Sequence, residues 1–427
     1  MAGAVTYRPV HDRRRSWPAA NRPPVQRPRG VVIKALTWQG NENVLVTDVP
    51  DPRIEEPTDA IIKVTSTAIC GSDLHLYGVL GPYLKPGDVL GHEAMGVVDE
   101  VGPDAADHLS VGDRVVVPFN ISCGSCWMCT RGLFAQCETT QVRSEGKGAS
   151  LFGYTSLYGS VPGGQAEYLR VPQAHFGPIV VPEGTPDEQF LFLSDILPTA
   201  WQAVRYADVP PGGTVAVLGL GPVGQFAVRI AAHLGAGRVI GVDRVPERLA
   251  LAQRHGAEPV NLDDVDDVAD TLIEMVDGRG PDATIDAVGM EAHGGRIVAA
   301  VQKLTGLLPD ALAQKVADKA AVDRLDAFDA AVKGVRRGGT VSVSGVYGGE
   351  VDPLPLMEMF DRGVQLRMGQ AHVRRWTDEI LPLVLDPADP LGTLDLTTHH
   401  LPLADATHGY EMFRAKQDGC IKVVLTP

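Results

Sequence analysis

Two short stretches carry the residue types of a metal centre. One reads Cys70-Gly71-Ser72-Asp73-Leu74-His75 and the other Gly91-His92-Glu93. Together they place a thiol, two imidazoles and carboxylates on segments pinned by glycines. A catalytic zinc site takes three protein ligands and leaves one position open for water or substrate. Cys70 and His92 are therefore candidate ligands. Glu93 either touches the metal or orients a ligand from behind. Asp73 suits the loop itself, because an aspartate there can hydrogen-bond its own backbone.

Four more cysteines follow within fifteen residues: Cys123, Cys126, Cys129 and Cys137. Thiolates this close can wrap one ion, and four-cysteine tetrahedral sites are closed structural zinc sites. An iron–sulfur cluster is the rival. The bacterial ferredoxin run ends C-x3-C-P, whereas here the last gap is seven and Glu138 follows, which favours zinc. Such an ion would stiffen a lobe with little apolar core, so its binding would contribute folding free energy. Cys420 stands apart and reads as a buried small hydrophobe.

A third pattern concerns phosphate. The apolar run Thr214–Leu218 leads into Gly219-Leu220-Gly221-Pro222-Val223-Gly224 and then a helical stretch, 225–235. GxGxxG alone is weak, but here a strand precedes it, a helix follows, and a second strand, Arg238–Val242, ends at an acid, Asp243. Glycines let backbone amides approach a pyrophosphate at a helix N-terminus. Asp243 would accept from the adenosine ribose hydroxyls and repel a 2′-phosphate, which favours NAD over NADP. Arg244 and Arg248 pull the other way, since an arginine there can accommodate that phosphate. Gly219, Gly221, Val223, Gly224, Asp243 and Arg248 are the expected cofactor contacts, joined by Gly71 and Val288.

These residues need elements to hold them. Short strand-like runs at 31–35, 44–46, 60–67, 96–101 and 111–117, punctuated by Gly, Pro, Asn and Asp, predict a small barrel-like β domain. The Cys70 and His92 segments are then loops on a rigid scaffold. After residue 199 strands alternate with helices; further strands at 259–262, 283–288, 340–346 and 364–368 bring the count to six, that of a doubly wound dinucleotide fold. The fold class is α/β, a Rossmann parallel sheet plus a β-barrel domain. The expected division is an extension over 1–30, a catalytic domain over 31–198 with a zinc lobe at 120–140, a nucleotide domain over 199–370 and a return segment over 371–427. Residues 293–334 exceed one crossover helix, so they read as an insertion that covers the cleft, meets a second subunit or simply lies on the surface. The return segment reads as helix over 376–385 and strand over 419–425.

The chain has 427 residues, 44% hydrophobic and 21% charged, room for two or more domains. A net charge of -15 argues against nucleic acid, whose phosphates call for clustered Lys and Arg. No apolar run reaches the roughly 18 residues of a membrane span. Residues 1–30 hold seven arginines, five prolines and one acid, the composition of a disordered extension. They lack the apolar core of a secretory signal, although a transit peptide is also rich in arginine. A cytoplasmic protein with reduced, metal-binding cysteines is expected.

The motifs above, with Gly163-Gly164-Gln165-Ala166-Glu167-Tyr168 and Ser194-Asp195-Ile196-Leu197-Pro198-Thr199, make the chain similar to the zinc-dependent medium-chain alcohol dehydrogenases. Within them it most resembles the glutathione-independent formaldehyde dehydrogenase-like branch. The resemblance runs from about Val31 to the C-terminus. It implies a GroES-like catalytic domain, an inserted Rossmann domain, two zinc ions per subunit, NAD, a small alcohol or aldehyde substrate, and a homodimer or homotetramer. In the branch Asp195 replaces a second cysteine as third ligand of the catalytic zinc; the duller alternative is a helix N-cap. Cys⁻, neutral His and Asp⁻ then leave Zn²⁺ formally neutral, with a harder oxygen ligand. The resemblance also makes Ser72 and His75 a proton relay, where His75 could otherwise be a surface histidine. Tight retention of NAD in the branch goes with residues just after the Val288-Gly289 turn. This chain has Met290-Glu291-Ala292-His293-Gly294 there, with histidine where the branch carries arginine. Three functions stay open: an NAD-linked dehydrogenase, a dismutase that keeps its NAD, and a non-catalytic zinc and nucleotide binder.

Overall fold

The computed structural model describes residues 32–289, 326–347 and 354–427. The extension over 1–30, the Met290–Gly294 stretch and the insertion up to residue 325 lie outside the described residues.

The first half is built on the strand Ala60–Ile69, whose sequence AIIKVTSTAI is rich in the β-branched residues that fit a pleated surface. It pairs antiparallel with Glu93–Val101, with Tyr168–Val171 and with the late strand Val423–Thr426. The sheet runs in the order His399–Pro402, Val423–Thr426, Ala60–Ile69, Glu93–Val101, Arg114–Val117, Ile179–Val180. A separate hairpin, Val32–Gly40 with Asn43–Pro50, packs beside it. The C-terminal tail thus becomes a strand next to the one that ends at Cys70. Cys420 lies just before the final strand rather than in it, and is buried as expected.

The second half is a six-stranded, all-parallel sheet. Its strands lie in the order Glu258–Asn261, Arg238–Asp243, Thr214–Leu218, Ala283–Asp286, Thr340–Val343, Gln365–Met368. All six expected strands are present. The direction of winding reverses between Thr214–Leu218 and Ala283–Asp286, and ligands of such sheets bind outside the strand ends at that switch point. The glycine loop follows the first of these strands and the Val288 turn follows the second. The helix begins at Pro222, earlier than expected, because proline suits a first helical position where no N–H is needed.

One hydrophobic cluster runs through both halves, including Ile69, Phe192, Phe226, Ile285 and Tyr410. The helix Ile196–Ala207 lies at the centre. It carries Asp195 at its start, packs on the helix Pro222–His233 that follows the glycine loop, and accepts a hydrogen bond from Ser342 Oγ at the Ala203 carbonyl, 2.8 Å.

The four-cysteine lobe is tied to the return segment by a histidine. His372 Nδ1 accepts the Ala135 N–H at 3.1 Å, and the His372 N–H donates to Gln202 Oε1 at 3.0 Å. Burial, then the nearby charge of Arg375, push the His372 pKa down to about 4. An unfolded histidine titrates near 6.5, so the unfolded chain binds this proton first. The linked stability is complete above pH ~6.5 and drains away as pH falls towards 4, by ~3 kcal/mol at most. Denaturant midpoints between pH 7 and 4 should therefore fall more steeply in wild type than in His372→Asn, whose amide oxygen can replace the acceptor. Equal slopes would show that His372 is not a buried neutral acceptor.

Candidate active site

Cys70 ends one strand, His92 precedes another, and Asp195 precedes a helix, so three element ends fix three donor atoms. Cys70, His92, Glu93 and Asp195 are all buried, and a donor atom from each lies within 4.8 Å of the others. Asp195 Oδ2 is 3.5 Å from Cys70 Sγ and 3.2 Å from His92 Nε2. Asp195 does occupy the N-cap position, but its carboxylate makes no cap hydrogen bond. It faces the cluster instead, with Oδ1 accepting from Thr199 Oγ1 at 2.8 Å.

The electrostatics favour a cation here. Burial raises the Cys70 thiol to about 11, and the charges of Asp195 and Glu93 add to it. Burial also raises the Glu93 carboxyl, against the pull of Lys422. A thiol and two carboxylates out of water repel one another as anions, and a bound dication reverses that local logic. The donor set, S/N/O, suits zinc.

A further set of residues holds these donors. Asp73 Oδ1 lies 3.1 Å from His92 Nδ1, while its Oδ2 accepts the Cys70 N–H at 2.9 Å. The local loop role expected for Asp73 is present, and the same carboxylate lies within ion-pair distance of His92. Lys422 is fully buried; its Nζ donates to Glu93 Oε1 at 2.6 Å and to the Ile69 carbonyl at 3.0 Å. Burial alone would depress the Lys422 pKa, but Glu93, Cys70 and Asp195 together raise it. Glu93 Oε2 is buried and has no hydrogen-bond partner. The sequence signal for Lys422 was a lone lysine inside the apolar run Ile421–Leu425.

Ser72 Oγ sits 3.2 Å from His92 Nε2, at the mouth of the cluster. His75 is buried one turn further along the same helix, Gly71–Tyr77. Phe119 and Tyr154 stand edge-on to His92 with ring centroids at 6.3 Å, while Phe152 packs in a separate core cluster and Trp201 bonds Glu379.

In the lobe the donors of Cys123, Cys126, Cys129 and Cys137 also lie within 4.8 Å of one another. Backbone N–H groups point at the sulfurs: Cys126 N to Cys123 Sγ at 3.3 Å, Glu138 N to Cys126 Sγ at 3.4 Å, Cys123 N to Cys137 Sγ at 3.4 Å. Such donors suit thiolates, as a metal site requires.

At the nucleotide loop each glycine has a separate reason. Gly219 has φ +87°, and a Cβ there would meet Val288 Cγ2 at 2.6 Å. A Cβ on Gly224 would meet the Gly219 carbonyl oxygen at 1.9 Å. A Cβ on Gly221 would meet only Arg248 Nη1, at 3.8 Å, so this glycine keeps room outside the loop clear for a ligand. Asp243 ends its strand as expected. Its Oδ2 accepts the Leu220 N–H at 2.7 Å and its Oδ1 the Arg244 N–H at 2.7 Å, so it also fastens the loop. Carboxylate oxygens have further lone pairs for a ribose. Arg248 is buried 3.9 Å from Asp243. The cradle fits a dinucleotide.

Comparison with known proteins gives the arrangement a family. Residues 56–182 match the alcohol dehydrogenase GroES-like domain and residues 222–303 the zinc-binding dehydrogenase domain. A zinc-type alcohol dehydrogenase-like protein of Bacillus subtilis (strain 168) is 44% identical over 404 residues, covering 92% of this chain and all of that one. The chain belongs to the zinc-type alcohol dehydrogenases. As a member it is an oxidoreductase of the medium-chain fold, a family associated with zinc and a nicotinamide dinucleotide. Alcohol dehydrogenase TADH from Thermus sp. ATN1 superposes with a TM-score of 0.74 at 34% identity, over 92% of this chain and 99% of that one. Formaldehyde dismutase of Pseudomonas putida is 31% identical over 89% of this chain and 94% of its own.

Breaking a buried ion pair by removing one partner costs ~3–5 kcal/mol, because the other charge is left alone. Lys422→Met should lower stability by that order in denaturant titrations, and adding Glu93→Leu should recover most of it. Independent, additive losses would show that the two side chains are not coupled.

Proposed function

We propose that this zinc-type alcohol dehydrogenase transfers a hydride between a small alcohol, or hydrated formaldehyde, and NAD. The observation that carries the reading is the convergence of Cys70, His92 and Asp195 on one buried point, at the start of the helix that packs on the glycine-loop helix. These three residues would hold a catalytic zinc, and Cys123, Cys126, Cys129 and Cys137 a structural one. Gly71, Gly219, Gly221, Val223, Gly224, Asp243, Arg248 and Val288 would line NAD. Asp243 favours NAD over its 2′-phosphate form, and Arg248, beside that carboxylate, has its charge already answered.

Zinc supplies a Lewis acid that lowers the pKa of a coordinated alcohol, as it does for water to about 7 in favourable sites, and the nicotinamide supplies a hydride acceptor. The chain's own residues do the rest. Asp73 Oδ1, 3.1 Å from His92 Nδ1, would steady the ring with Nε2 towards the metal. Thr199 turns Asp195 inward. The Ser72 hydroxyl would take the alcohol proton and His75 would carry it on. Phe119 and Tyr154 keep that side of the pocket apolar.

The domain division stays as 31–198 with 371–427 for catalysis and 199–370 for the nucleotide. None of the six cysteines forms a disulfide, in keeping with a reducing compartment such as the cytoplasm. Among the described residues no helix is long and apolar enough to cross a membrane. A homodimer or homotetramer fits the exposed Met357, Phe360 and Met368 beside the outermost strand Gln365–Met368.

Elemental analysis should find two zincs per chain in wild type and one in Asp195→Ala, with NAD-linked alcohol oxidation lost in the variant. One zinc in fresh wild type would sink the catalytic-metal reading. His75→Ala should lower turnover roughly a hundred- to ten-thousandfold, the range of a positioned proton carrier, and shift its pH profile at unchanged zinc content. An unshifted profile would remove His75 from the relay. The dismutase relative favours one second reading, dismutation on retained NAD; NAD that stays with the protein through gel filtration would support it.

A further inference from the structure

Gln165 is not part of the cluster, yet its side chain reaches the carboxylate that stands behind His92. Its backbone is hung between two segments: the N–H donates to the Leu90 carbonyl at 3.0 Å, and its carbonyl accepts the Leu36 N–H at 2.8 Å. Its side chain lies against Gly91, where a Cβ would come within 2.4 Å of Gln165 Cγ. Gly91 directly precedes His92. One hydrogen of Gln165 Nε2 goes to the Ala68 carbonyl at 3.1 Å and the other to Asp73 Oδ2 at 3.3 Å. Oε1 accepts from Tyr410 Oη at 2.9 Å. Gln165 and Tyr410 are both fully buried.

The directions of these bonds are forced. Ala68 O and Asp73 Oδ2 can only accept, so the amide nitrogen must face them and the amide oxygen must face Tyr410. The tyrosine hydroxyl then donates. The chain runs Tyr410 to Gln165 to Asp73, and Asp73 Oδ1 stands 3.1 Å from His92 Nδ1. The first two links each leave one donor–acceptor arrangement, and they end on Asp73, whose Oδ1 lies within ion-pair distance of His92 Nδ1.

We infer that Gln165 and Tyr410 are positioning residues for the catalytic metal, acting through Asp73 on the orientation and donor strength of His92. The inference rests on the catalytic-zinc reading above. Tyr410 belongs to the helix Ala406–Ala415 of the return segment, which is further fastened by Thr407 Oγ1 to the Val44 carbonyl at 2.9 Å. Docking of that helix is thereby coupled to the metal site.

The test is zinc competition against a chromophoric chelator, with the visible spectrum of the cobalt-substituted protein, on full-length wild type, Gln165→Leu and Tyr410→Phe. Second-layer partners of metal ligands are worth 10- to 100-fold in affinity. Gln165→Leu should weaken the second metal about tenfold and alter the cobalt band, and Tyr410→Phe should move both the same way by less. The four-cysteine metal should stay unchanged in both. Variants that melt earlier but hold the second zinc as tightly as wild type, with an unaltered cobalt spectrum, would show a packing role only and overturn the inference. If Gln165→Leu fails to fold, Tyr410→Phe, which loses one hydroxyl, decides alone. A wild type with a single zinc would bring down the catalytic-metal reading itself, and this inference with it.

Discussion

The structure depends on negative charge gathered in a place with almost no water. Cys70, Glu93 and Asp195 meet within a few ångströms, and Lys422 brings a positive charge bonded to Glu93. Carboxylates and thiols do not stay ionised in an apolar interior unless something compensates them. That requirement explains features far apart in the chain. The tail forms a strand beside Ala60–Ile69 that brings in Lys422. Asp195 gives one carboxylate oxygen to Thr199 of its own helix and turns the other to His92. Asp73 spends one oxygen on the Cys70 amide and turns the other to His92.

The nucleotide half answers a different constraint, which is close approach. Gly224 is needed for the fit of loop to helix, whereas Gly221 is needed by what would lie outside. Asp243 holds the loop from the neighbouring strand. The helix Ile196–Ala207 joins the two halves, so a hydride donor and acceptor would be set by one rigid element rather than by two domains meeting loosely.

Much of this was legible in the sequence because it is local. The strand before Gly219, the helix after it and Asp243 lie within thirty residues, and so do Cys123 to Cys137. Cys70 and His92 were legible by type and spacing. What was not legible is long-range. Lys422 is 329 residues from Glu93 and Tyr410 is 245 from Gln165. No periodicity links such positions; only the register of Val423–Thr426 against Ala60–Ile69 does. Asp195 gave two readings from sequence because N-cap and ligand use the same residue type at the same place, and only the direction of its carboxylate separates them. Phe119 and Tyr154 could not be told from core aromatics until their edges were seen to meet His92.

The return of the tail has a consequence for how the chain is made. A ribosome delivers Cys70, His92, Glu93 and Asp195 in the first half of synthesis, and domains fold as they emerge. Lys422 and Tyr410 arrive only with the last turn and strand. Until then Glu93 has no counter-charge and Gln165 no hydroxyl, so the pocket cannot close dry. Its completion waits for those two residues, and until they are made Glu93 and Gln165 lack the partners that the folded chain gives them.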